Sequence, residues 1–145
     1  MASSSDLDKA YLKMAFIWSS LSQARRKKVG CLIVKDGSII ADGFNGSPSG
    51  FDNDCEFWDN GDWVTKPETL HAESNAITKL AKSTQSSIGS TMYITCSPCL
   101  HCAKLIIQAG IKKVVFAEVY RDDAGLRLLS QAGILTYSIT YDSKN

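Results

Sequence analysis

No charge of one sign dominates this chain. Its 16 Lys and Arg nearly cancel its 15 Asp and Glu, leaving a net charge of +1 over 145 residues. That removes the basic field by which nucleic-acid binders attract a phosphate backbone, so no nucleic acid is expected as partner. Long apolar runs are missing as well: nothing approaches the ~20 residues a membrane helix needs, and no membrane partner is expected. Residues 1–9 are rich in Ser and Asp and carry no apolar signal core. With only 2 histidines, a metal cage built from His alone is excluded. Five cysteines, an odd number, exclude a fully paired disulfide framework and suggest a reducing, cytoplasmic interior. What is present is ordinary for a soluble protein, 44% hydrophobic and long enough for a core. A single domain, 1–145, is expected.

The pattern along the chain alternates strands and helices. Ser5 and Asp8 stand as a capping box, and Leu7, Tyr11, Met14, Trp18 and Leu21 mark one face of a first helix. Phe16 and Ile17 widen that stripe, so this face is expected in the core. Residues 29–34 read as a strand, Asp36-Gly37 as a hairpin turn and 38–44 as the return strand. The stretch 45–69 reads as a long loop, and a loop of that length is usually functional or covers a site. A second helix is expected over 70–82, with Ala72, Ala76, Ile77 and Leu80 inward. A strand at 91–95, a helix at 98–109, a strand at 113–117, a helix at 122–132 and a strand at 135–141 follow. Gly110 and Gly133 stop the two later helices in matching joints, Gln-Ala-Gly-Ile. Helical crossovers make the last strands parallel and right-handed. The expected architecture is α/β, a three-layer α/β/α domain with a five-stranded mixed sheet that begins with an antiparallel hairpin. Cys31 and Cys96 are expected to pack in the core, while Cys55 has no assignment.

Chemistry concentrates in two segments, His71-Ala72-Glu73 and Ser97-Pro98-Cys99-Leu100-His101-Cys102. Cys99 and Cys102 are three apart, so a helix sets them on one face. Pro98 suits a first helical position and Ser97 its cap, which puts both thiols in a first turn where free N–H groups favour thiolates. His71 and Glu73 would diverge in mid-helix and converge only if His71 starts one. His71, Cys99 and Cys102 then supply three zinc ligands and leave a fourth position open for water, whose pKa zinc lowers toward neutrality. Glu73 is not needed as a ligand and is the candidate proton carrier. Either segment alone is a weak signal. Together they match an established signature, H-x-E followed by P-C-x-x-C, of zinc nucleobase deaminases.

The chain resembles the deoxycytidylate (dCMP) deaminase family, within the cytidine deaminase-like superfamily. The resemblance runs over about residues 7–140. It is carried by Lys28-Val29-Gly30, Gly43-Phe44-Asn45-Gly46-Ser47-Pro48-Ser49-Gly50, His71-Ala72-Glu73-Ser74-Asn75-Ala76-Ile77 and Thr95-Cys96-Ser97-Pro98-Cys99-Leu100-His101-Cys102-Ala103-Lys104. It implies hydrolysis of dCMP to dUMP, activation by dCTP, inhibition by dTTP and assembly into hexamers. One catalytic Zn2+ per chain is implied, with Mg2+ accompanying a triphosphate effector. Asn45 matches a sugar-contacting Asn, with Ala72 and Ser97 beside the substrate. Among the basic run Arg25-Arg26-Lys27-Lys28, Arg26 and Lys28 are favoured for the 5′-phosphate. Tyr120 and Arg121 offer a wall for base or phosphate. Gly46, Ser47, Pro48, Ser49 and Gly50 form a loop that can approach effector phosphates closely. Some family members hold a second, structural zinc; the donors left over here, Cys31, Cys55, Cys96 and His101, do not suggest one.

Two other readings share these motifs. A polynucleotide deaminase needs a basic face with stacking aromatics. Here Phe51, Phe57, Trp58 and Trp63 lie among Asp52, Asp54, Glu56, Asp59 and Asp62. Glu73 argues against a zinc-stabilised binding module without catalysis, where it would serve only to cap the start of its helix.

Overall fold

The computed structural model describes residues 2–141. Its elements are α1 Ser4–Ser19, β1 Gly30–Lys35, β2 Ser38–Phe44, β3 Glu56–Asp59, β4 Asp62–Thr65, α2 Ala72–Leu80, β5 Thr91–Cys96, α3 Leu100–Gln108, β6 Lys113–Glu118, α4 Ala124–Gln131 and β7 Leu135–Ser138. Five strands form one sheet in the order β2-β1-β5-β6-β7. β1 runs antiparallel to β2 and β5, while β5, β6 and β7 are parallel. This is the expected mixed sheet.

Strand alternation divides the core. Cys31, Ile33, Met92, Ile94, Val114 and Phe116 pack with residues of α2, α3 and α4 on one face. Leu32, Val34, Tyr93 and Val115 pack with Ala15 of α1 on the other. Both faces are covered, which is why these strands are apolar without a polar side. Cys31 and Cys96 are buried, and so is Cys55.

Three local expectations are corrected. The α1 capping box is Ser3 with Asp6: the Asp6 N–H donates to Ser3 Oγ at 3.1 Å, and the Ser3 N–H donates to the Asp6 carboxylate. The buried face of α1 is Leu12, Ala15 and Ser19, whereas Leu7, Met14, Ile17 and Leu21 are exposed. The reason is closeness. A Cβ on Gly30 of β1 would lie 2.0 Å from the Ala15 carbonyl oxygen and 2.6 Å from the Ser19 nitrogen, so the helix crosses the strand at Gly30 on small residues, with Leu12 buried beside that crossing. Second, the stretch 45–69 is not a plain loop. It contains the hairpin β3–β4, paired antiparallel from Glu56 opposite Thr65 to Asp59 opposite Asp62. Asn60 and Gly61 turn it with φ of 49° and 85°, as a type I′ turn requires. Third, α3 starts at Leu100 with Cys99 as its cap, so Pro98 and Ser97 lie ahead of the helix.

Candidate active site

His71 caps α2 and Cys99 caps α3. Each has extended backbone, φ −76° and ψ 158° for His71, φ −72° and ψ 173° for Cys99, and neither side chain makes a conventional capping hydrogen bond. A cap side chain ordinarily turns onto the N–H groups of the first turn. These two turn toward each other instead. His71 Nδ1 is 3.2 Å from Cys102 Sγ and 3.5 Å from Cys99 Sγ. Cys102 occupies the third position of α3, and cap and third-position side chains meet as they do in a capping box. The three donor atoms lie within 4.8 Å of one another. Ligands at about 2.0–2.3 Å from a tetrahedral zinc stand about 3.5 Å apart. The set therefore fits zinc, with one ligand position left over. His101 is exposed and takes no part.

The electrostatics agree with a cation site. The Cys99 thiol is pulled down to about 3, chiefly by the hydrogen bond from Cys102 and further by His71. Cys102 is pushed up by that same bond and by burial. The lowered Cys99 thiol favours the thiolate form that a metal cation binds. The hydrogen bond with Cys99 raises the pKa of His71. Glu73 follows two residues after the cap, in the first turn of α2, and is 4% exposed. Burial raises its pKa. A buried carboxyl of raised proton affinity beside the candidate metal donors is suited to accepting and returning a proton.

His71, Glu73 and Cys99 open onto a cleft of about 480 Å³ at the exits of β5 and β6. Carboxyl ends of parallel strands are where open α/β sheets bind ligands. The cytidine and deoxycytidylate deaminase zinc-binding region matches residues 5–118. The chain belongs to this family. It is 33% identical to deoxycytidylate deaminase of Enterobacteria phage T4, covering 92% of this chain and 90% of that one. It is 32% identical to deoxycytidylate deaminase of Saccharomyces cerevisiae, a longer protein of which 45% is matched. A crystal structure of dCMP deaminase from the cyanophage S-TIM5, in complex with dCMP and dUMP, superposes with a TM-score of 0.89 at 43% identity, covering 95% of this chain and 100% of that one.

In this deaminase the cleft brings Arg26, Asn45, Ala72, Ser97, Tyr120 and Arg121 together with the metal donors. Lys28 does not line it; Lys27 does, and is ion-paired to Glu118. Arg25 lies 4.4 Å over the Trp63 ring and 3.9 Å from Asp54. Among the described residues the Arg26 and Arg121 guanidiniums have no ion-pair partner, although Arg121 lies 5.6 Å over the Tyr120 ring. Asn45 braces the basic turn: its Oδ1 accepts from the Val29 N–H at 2.9 Å and its Nδ2 donates to the Lys27 carbonyl at 2.7 Å. Ser97 Oγ accepts from the Tyr120 N–H at 2.7 Å, tying the exit of β6 to the metal loop. Gly46 bridges to Leu70, just before His71. Gly46 and Ser47 line a second cleft of about 250 Å³ with Asn75 and Lys79, while Pro48, Ser49 and Gly50 do not.

Glu56, Thr65, Thr69 and Cys96 also line the main cleft, and sequence reasoning did not place them there. The signal for Glu56 was present. Asn60-Gly61 between Phe57-Trp58 and Trp63-Val64 is a strong hairpin pattern, and it sets Glu56 at the start of the first strand.

Proposed function

We propose that the chain hydrolyses dCMP to dUMP and ammonia. One observation carries this: a single cleft joins a zinc-type donor set and buried Glu73 to two exposed guanidiniums, Arg26 and Arg121, with no ion-pair partner among the described residues. The phage relatives named for this reaction support it. His71, Cys99 and Cys102 would hold zinc, which when bound would supply a nucleophile from water by lowering the water pKa to about 7. Glu73 takes the proton that water gives up and delivers it to N3 of the cytosine ring. Ring C4 gains the hydroxyl, Glu73 carries that hydroxyl's proton to the exocyclic nitrogen, and the C4–N bond breaks to leave the carbonyl and release ammonia. Arg26 and Arg121 hold the 5′-phosphate through charge-assisted bonds. Asn45 keeps one amide hydrogen and one lone pair for a sugar hydroxyl after bracing its turn. Ala72 and Ser97, beside the metal donors, flank the base, and Tyr120 walls it.

The family resemblance extends the proposal to regulation: dCTP activating, dTTP inhibiting, Mg2+ with the triphosphate, the 46–50 loop as effector contact and a hexamer as the working form. A cytoplasmic setting belongs to it too, since thiolate ligands need a reducing compartment. Polynucleotides are disfavoured because exposed Asp52, Asp54, Asp59 and Asp62 stand on or beside the hairpin that borders the cleft. The test is a spectrophotometric assay of dCMP, dCTP, deoxycytidine and tRNA on zinc-loaded protein. Two charge-assisted contacts of about 1.5 kcal/mol each give dCMP about a hundredfold advantage in kcat/KM over deoxycytidine. Equal turnover of the two refutes the nucleotide reading.

A further inference from the structure

Among the described residues no side-chain cation pairs with the buried carboxylate of Glu56. It is 6% exposed, and its hydrogen bonds come from backbone. The Arg25 N–H donates to both oxygens, at 3.1 and 2.8 Å, and the Arg26 N–H donates to Oε2 at 2.9 Å. Charge-assisted bonds to main-chain N–H groups are short and directional. Here they fasten the turn ahead of β1 to the first residue of β3. The same hairpin takes the Arg25 side chain, through Trp63 and Asp54. Arg26 lines the cleft with its backbone fixed, and its guanidinium has no ion-pair partner among the described residues.

We propose that Glu56 is a positioning residue for recognition of the 5′-phosphate: it holds the Arg25–Arg26 backbone so that Arg26 stands ready in the cleft before substrate arrives. This rests on the reading that Arg26 meets that phosphate. A preorganised clamp loses affinity when its backbone is released, because substrate binding must then order the turn. The chemistry at the metal end is untouched, since Glu56 bonds to neither His71, Glu73, Cys99 nor Cys102.

The experiment is steady-state kinetics with dCMP and deoxycytidine on zinc-loaded wild type, E56A, E56Q, R26A and E56A/R26A, with zinc content measured for each. E56A raises KM for dCMP about tenfold with kcat nearly constant, and changes kcat/KM for deoxycytidine by no more than about twofold. E56Q, whose amide oxygen still accepts, gives a smaller rise. In the R26A background the E56A effect disappears, because the residue acts through Arg26. Equal losses on both substrates, or effects of E56A and R26A on dCMP that multiply in full, overturn the proposal. Should E56A fail to fold, E56Q with R26A runs the same cycle and the same two outcomes decide. Equal turnover of dCMP and deoxycytidine by wild type overturns the phosphate reading and this inference together. A wild-type preference for dCMP that E56A leaves intact overturns the inference alone.

Discussion

Replacing Gly125 by Ala perturbs the metal site without touching a ligand. Gly125 lies in the first turn of α4 and is buried against the loop that carries Cys99. An added Cβ would sit 2.1 Å from the Pro98 carbonyl oxygen and 2.8 Å from the Cys99 carbonyl carbon and oxygen. Ordinary contact begins near 3.4 Å, so the gap must open by about 1.3 Å. Backbone lies on the far side, so no rotamer change relieves it. Either α4 moves out, drawing fully buried Leu129 with it, or the Pro98–Cys99 peptide moves and takes Cys99 Sγ off its position. Overpacking of this kind costs about 1–3 kcal/mol, offset by less than about 1 kcal/mol from the better helix propensity of Ala. For a chain of this size that lowers Tm by about 3–8 °C. Displaced support around a ligand weakens metal binding by about 10- to 100-fold. Thermal melts and competition with a chromophoric zinc chelator measure the two effects. Unchanged Tm and zinc affinity refute the close-packing argument. A lowered Tm with intact zinc affinity shows that only α4 yields, and refutes the coupling of Gly125 to Cys99.

Three further outcomes are expected. Glu73→Gln keeps fold and zinc but lowers kcat by about 10²- to 10⁴-fold, because Gln cannot carry a proton; a variant retaining about a tenth of wild-type turnover removes the assigned role. Arg26→Ala lowers kcat/KM for dCMP by about 10- to 100-fold and hardly changes deoxycytidine; parallel losses on both substrates contradict a phosphate contact. Tyr93 has its pKa raised by burial and by the hydrogen bond to Asp8. Its stabilising contribution is therefore full below the unfolded value near 10 and is lost as pH rises above it. The Tm advantage of wild type over Tyr93→Phe should shrink from pH 8 to 11, and an advantage that is flat or growing shows the sign to be wrong.

The sheet was legible because burial on both faces leaves a plain record: apolar runs such as Cys31-Leu32-Ile33-Val34, closed by Asp36-Gly37. The metal donors were legible because their chemistry needs rare residues at fixed spacing. The face of α1 was not. Periodicity follows large apolar side chains, but contact with β1 selects small ones, Ala15 and Ser19 over Gly30. Short aromatic strands amid five acidic residues hid the β3–β4 hairpin, although Asn60-Gly61 announced its turn. The basic end of the cleft was half legible. A basic run shows that cations are near, yet Arg25, Lys27 and Lys28 differ from Arg26 only through partners distant in sequence: Trp63, Glu118 and the boundary of the cleft.

The two ends of the cleft are built on different foundations. At the metal end both helix caps are donors, and each helix is anchored in the core by residues such as Ala76 and Ile106 that exclude solvent completely. The backbone that aims His71 and Cys99 is thus set by the same packing that holds the sheet together, and Glu73 follows from α2 without further support. The end proposed to meet the phosphate hangs on an irregular turn. It needs Asn45 from the exit of β2, Glu56 from β3 and the Lys27–Glu118 pair to hold one conformation. Loss of one brace there leaves the core intact and changes which substrates bind, whereas a shift at a helix cap moves a ligand and removes the reaction. Substitutions at the turn should therefore act mainly on KM and discrimination, and substitutions at the caps on kcat and metal content.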